Sequence, residues 1–113
     1  MQKMMTKEIE RKVPRLYATD GQGDDAIAYA HYFSCVSNWD WYMTEYDPDT
    51  REAFGLVKGF AIELGYFSLR EFEELNAERG FEVVERDNYW RPKTLREVKA
   101  HSIWGAVLDA VWE

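Results

Sequence analysis

The sequence predicts an α+β fold, an antiparallel meander of three to four strands with about three helices packed on one face. Three observations carry it. Apolar side chains recur with a period of two in segments between residues 26 and 64. Short turn signals, Ser37-Asn38 and Asp47-Pro48-Asp49-Thr50, separate those segments and leave no room for parallel crossovers. The period then changes at Ser68 and Thr94, each three residues ahead of a Glu, the spacing of a capping box.

The elements follow in chain order. Thr6 caps a short helix that runs to about Val13, with Glu8 in its first turn and Pro14 ending it. Asp20-Gly21-Gln22-Gly23-Asp24 reads as a loop. A first strand spans Ala26–Ser34, with Ile27, Tyr29, His31 and Phe33 alternating against Ala28, Ala30 and Tyr32. A second spans Trp39–Tyr46, placing Trp39, Trp41 and Met43 opposite Asp40, Tyr42, Thr44 and Tyr46. A third is expected over Phe54–Leu64, where Gly55 and Gly59 mark a bulge or a close backbone approach. Ser68 opens a helix to about Glu78, stopped by Gly80, with Leu69, Phe72 and Leu75 as its buried stripe. Phe81–Glu85 is a short edge strand. Thr94 opens the last helix, where Leu95 and Val98 lead into Ile103, Val107 and Val111 beside a second row, Trp104, Leu108 and Trp112. That wide apolar face either covers the sheet or is a self-association surface, and core cover is favoured because an open sheet face needs a partner.

At 113 residues the chain fits a single domain, with residues 102–113 as a helical extension. An apolar fraction of 46% and an aromatic fraction of 16% supply a dense core without disulfides. The lone Cys35 has no intramolecular partner, and no stretch approaches the roughly 20 apolar residues of a membrane span. A cytoplasmic protein is expected. Net charge is −7, and it is uneven. Residues 16–90 hold sixteen acidic and five basic side chains, whereas both ends are mildly basic. Such a body repels phosphate, so direct nucleic-acid binding is not expected, while a basic protein surface is a fitting partner. The plain alternative is that the charge serves solubility.

Four constellations bear on chemistry. Gly21-Gln22-Gly23 is followed by Asp24 and Asp25, which would repel a phosphate, so it reads as a turn. Asp47, Asp49 and Glu52 imitate a calcium loop but lack its glycine and set Arg51 at a ligand position, so they read as a solvated acidic turn. His31 and Cys35, four apart on a strand, would stand about 13 Å from each other, too far for a nucleophile pair. Cys35 reads instead as a small buried side chain and His31 as a cross-strand packing residue. With two His and one Cys, zinc and other transition-metal clusters are not expected, and no cofactor is implied. The remaining catalytic candidate is a carboxylate cluster of Glu45, Glu63 and Asp87 near Arg86, drawn from three elements. The competing reading makes them edge charges or partners of Arg86.

Several segments carry a family resemblance. They are residues 16–25, residues 41–47 (WYMTEYD), residues 54–57 (FGLV), residues 63–69 (ELGYFSL), residues 85–87 (ERD) and residues 92–95 (PKTL). In that order they resemble the bacterial domain-of-unknown-function 2958 family over residues ~6–100. The resemblance implies a small accessory product of plasmids, conjugative elements or phages. It implies no activity, so no catalytic residue is carried over. The polar positions within the shared pattern are Asp24, Asp25, Tyr42, Thr44, Glu45, Glu63, Arg86 and Asp87.

The expectation is an interaction protein rather than an enzyme. Its acidic surface, Asp24, Asp25, Asp47, Asp49 and Glu52, would mimic nucleic acid and occupy a basic cleft on a host protein, countering restriction or CRISPR defence. Two rivals stand beside it: an enzyme or ligand- or metal-binding domain using Glu45, Glu63 and Asp87, and a homodimer formed through Trp104, Leu108 and Trp112.

Overall fold

The computed structural model describes residues 1–100. Helix α1 (Lys7–Lys12) is followed by a 3-10 turn (Gly23–Asp25) and strands β1 (Ile27–Ala28), β2 (Ala30–Ser34), β3 (Asp40–Tyr46), β4 (Glu52–Lys58) and β5 (Ile62–Ser68). Helix α2 (Leu69–Arg79), strands β6 (Val84–Arg86) and β7 (Lys93–Thr94), and helix α3 (Leu95–Val98) complete the order. The fold is α+β. The main sheet has five antiparallel strands in the order β5-β4-β3-β2-β6, and β1 pairs with β7 in a second, two-stranded sheet.

The helix ends follow the chemistry of their caps. The Thr6 hydroxyl accepts the Ile9 N–H at 3.1 Å, and the Ser68 hydroxyl accepts the Glu71 N–H at 3.2 Å. Thr94 and Glu97 complete a reciprocal capping box. Gly80 ends α2 at φ +78°, a left-handed conformation that a glycine adopts without strain.

The strands differ from expectation in three places. The segment 26–34 is interrupted at Tyr29, so β1 leaves the main sheet for β7 while β2 stays with β3. The segment 54–64 is not one strand but two, joined by a tight turn at Gly59, whose N–H donates to the Ala61 carbonyl. A Cβ at 59 would stand 2.5 Å from the Trp39 ring, which would have to move to admit a side chain there. The alternation of β3 slips by one at Thr44, between Met43 and Glu45. That bulge returns Tyr46 to the Met43 face and lets the Thr44 hydroxyl donate to the Phe54 carbonyl at 3.1 Å. Gly55 lies opposite, and its missing side chain makes the close approach: a Cβ would stand 1.8 Å from the Tyr42 carbonyl oxygen.

The pleat sends alternate residues to two cores. Met43, Tyr32, Phe67, Leu69 and Phe72 share one face with Met4 and Val13, so α2 and the N-terminal segment around α1 lie there. Tyr42 and Leu56 share the other with Leu95, Val98 and Trp90. The helices therefore divide between the two faces instead of packing on one, because β7 carries α3 around to the side that β1 occupies. Buried Asn76 of α2 ties helix to sheet: its side chain donates to the Val84 carbonyl at 2.9 Å and accepts the Val84 N–H at 3.0 Å. Trp104, Leu108 and Trp112 lie outside the described residues.

Candidate functional site

The acids expected to act together are placed apart. Glu45 is 2% exposed. Its carboxylate accepts the Tyr17 N–H at 2.7 Å, the Thr19 N–H at 2.9 Å and the Thr19 hydroxyl. It is a clamp for the loop that follows α1, where Tyr17 sits at φ +72°. Glu63 stands exposed on β5 opposite Val57. Asp87, at the end of β6, bonds to His31. Arg86 points elsewhere, its Nε donating to the Lys3 carbonyl at 3.0 Å. These three acids share no partner, and among the described residues no group of His, Cys, Asp and Glu is arranged to hold a metal ion.

A different constellation forms around His31. Its Nδ1 lies 2.9 Å from Asp87 and its Nε2 2.8 Å from Asp40, while its ring stacks on Tyr42 at 4.6 Å. Lys58 reaches Asp40 from β4 at 3.6 Å. Trp90 closes the far side, its ring 5.3 Å from the His31 ring. A neutral imidazole has one N–H donor and satisfies one carboxylate; the imidazolium satisfies both. Both ring nitrogens face carboxylates of this chain. The cluster joins β2, β3, β4 and the segment after β6, and its geometry is that of a structural tie. Cross-strand packing of His31 was legible from the alternation; its two carboxylates were not, because they come from Asp40 and from Asp87, 56 positions away.

Cys35 is exposed rather than buried, and its thiol donates to Glu85 at 2.8 Å. That bond and the nearby acids push it up to about 11, so the thiolate is scarce at neutral pH. His31 and Cys35 each face carboxylates and form no nucleophile pair.

The surface acids divide into two groups. Asp24 pairs with Lys99 at 2.8 Å, which holds its carboxyl below the usual range, and Asp25 pairs with Arg96 at 3.0 Å. Their charge is matched by Arg96 of α3 and by Lys99 at its C-terminal cap. The turn between β3 and β4 differs. The Asp47 carboxylate accepts the Asp49 N–H at 2.9 Å, a bond that lowers its pKa, and Arg51 sits at φ +64°. Arg51 forks onto Glu73 of α2, and its carbonyl accepts the Leu69 N–H at 3.1 Å. The turn is therefore fastened to the start of α2. Asp49 and Glu52 are exposed and form no ion pair among the described residues.

Helix α2 carries further exposed acid. Glu71, Glu74 and Glu78 are exposed and recur at three- and four-residue spacing, one stripe on one face. The 3.6-residue period makes this stripe readable in the sequence once α2 is assigned, whereas the Arg51–Glu73 fork and the Leu69–Arg51 backbone bond that fasten α2 to the β3–β4 turn come from the tertiary structure.

A family model described as "Protein of unknown function (DUF2958)" matches residues 2–103. No curated protein and no solved structure matches the chain. Among the described residues no helix is long and apolar enough to cross a membrane.

Proposed function

We propose, from the premise that the chain belongs to the DUF2958 family, that it is a protein-interaction module whose acidic surface engages a basic partner. The observation that carries this is the division of the acids. Asp24 and Asp25 are matched by Lys99 and Arg96, whereas Asp49, Glu52, Glu71, Glu74 and Glu78 stand exposed and form no ion pair among the described residues. A surface on which acid outweighs base, here with exposed Arg70 as the cation beside the stripe, accelerates association with a basic cleft and makes it salt-sensitive. In its sharper form the surface takes the place of nucleic acid on a host nucleic-acid-binding protein, as a mobile element countering restriction or CRISPR defence in the cytoplasm would require.

The test is retention of proteins from nuclease-treated bacterial lysate on the wild type and on an Asp49→Lys/Glu52→Lys/Glu74→Lys variant. Asp47 is left intact because it holds the turn. A basic protein retained by the wild type, lost with the variant and displaced by duplex DNA supports the sharper form. Displacement by salt but not by DNA supports an interaction module without mimicry. Equal retention by both proteins at low salt overturns the reading.

A further inference from the structure

The main sheet has two edges, and the chain treats them differently. The outer edge of β6 is occupied by the N-terminal segment. Gln2 imitates a neighbouring strand, its side-chain oxygen accepting the Arg86 N–H at 2.8 Å and its side-chain nitrogen donating to the Arg86 carbonyl at 2.8 Å. Among the described residues the other edge, β5, pairs only with β4. It runs seven residues and carries Ile62, Leu64 and Tyr66 on one face, the last two 51% and 52% exposed. A long apolar edge of this kind is normally shortened, charged or covered, because its open N–H and C=O groups recruit another strand.

Gly65 is the second observation. Gly55 is demanded by the fold, since a Cβ there would collide with the Tyr42 carbonyl, and at Gly59 a Cβ would displace the Trp39 ring. Gly65 has no such need. Its φ is not positive, and a Cβ there would meet only Val57, at an ordinary 3.7 Å. Glycine weakens a strand interior, and one common reason to keep it is the close approach of another backbone.

Charge identifies what fits. Glu63 occupies the Gly65 face of β5, and Glu52, opposite Ser68, lies on the Leu64–Tyr66 face near its end. Both are exposed and form no ion pair among the described residues. A second copy of this acidic chain would bring like charges to that edge. We infer that β5 is a docking edge for an extended segment of a partner protein in which apolar residues alternate with Lys or Arg. Its apolar side chains lie on Leu64 and Tyr66, a basic one faces Glu63, and a large one covers Gly65. This rests on the interaction reading above and names how the partner is held.

The test uses a short synthetic peptide of alternating Val and Lys around a central Trp. Two controls accompany it, one with Glu for Lys and one N-methylated at alternate residues so that it cannot pair with a strand. Binding is followed by fluorescence anisotropy, and amide exchange is mapped across residues 62–68. The expected result is roughly tenfold slower exchange of those amides on binding, with no binding by either control. Leu64→Lys should weaken binding roughly tenfold, and Gly65→Val should do the same while unfolding at no lower temperature than the wild type. Tight binding of the N-methylated peptide, or protection elsewhere, overturns the edge while leaving the acidic reading in place. Equal binding of the Glu peptide with residues 62–68 protected overturns the acidic reading and keeps the edge. Concentration-dependent protection in the chain alone, with a dimer in sedimentation, gives the edge to a second copy and overturns the proposal. No binding by any peptide overturns it as well.

Discussion

Glu45, buried in β3, holds the backbone N–H of Tyr17 at 2.7 Å, joining the centre of the sheet to the loop 28 positions upstream. Its second oxygen takes the N–H and hydroxyl of Thr19. A carboxylate that is 2% exposed and accepts three donors is satisfied by the fold. Glu45→Gln turns an amide N–H₂ toward N–H groups and removes the charge that strengthened them. The expected cost is about 2 kcal/mol, read as a lower urea midpoint, together with faster amide exchange in residues 16–22.

His31 links Asp40 and Asp87 through opposite ring nitrogens. A double-mutant cycle of His31→Ala with Asp87→Asn should return a coupling of about 1 kcal/mol. The Asp87 carboxylate also accepts the Tyr89 N–H at 2.9 Å, a bond that Asn retains, so the cycle isolates the histidine contact. Additive single effects in urea unfolding would remove His31 from the list of ties.

Gly55 and Gly65 lie opposite each other in β4 and β5, yet they predict opposite outcomes. A methyl at 55 collides with the Tyr42 carbonyl, so Gly55→Ala should cost roughly 3 kcal/mol or prevent folding. A methyl at 65 has room. Gly65→Ala should leave the melting temperature unchanged or raise it, by up to about 1 kcal/mol of stability. Differential scanning calorimetry of the two proteins decides it.

Buried Asn76 answers both backbone groups of Val84. Asn76→Ala leaves an N–H and a C=O without partners in the core, with an expected loss of roughly 2–4 kcal/mol. For a chain of this length that is a fall in melting temperature of about 10 °C or more.

The Asp47 carboxyl is held below its ordinary 3.8, chiefly by the Asp49 N–H. A depressed folded-state value means the stabilisation is complete above 3.8 and disappears as pH falls through the lower, folded value. Urea midpoints of wild type and Asp47→Ala should therefore differ at neutral pH and converge only below 3.8. Convergence above that pH would show that the turn does not depend on the ionised carboxylate.

Legibility followed distance along the chain. Thr6, Ser68, Thr94 and Gly80 could be read as helix ends because a cap is decided within about four residues. Helix α2 and strand β3 could be read from periodicity, which is equally local. The turn at Gly59 could not, since it rests on β5 folding back on β4 with Ile62 opposite Lys58. Nor could the bulge at Thr44, which depends on how β4 lies against β3.

The same division runs through the candidate site. The amino-acid order alone determined the α+β class, the family resemblance, the helix caps and the concentration of acid in residues 16–90, all of which rest on neighbours or on composition. The tertiary structure alone decided which acids are spent inside the molecule. Glu45 went to Tyr17 and Thr19, Asp87 to His31, and Asp24 and Asp25 to Lys99 and Arg96, while Asp49, Glu52 and the α2 stripe were left facing outward. The reason is physical. A carboxylate's role depends on which donor lies within about 3 Å, and here those donors come from residues that only strand order and register bring near.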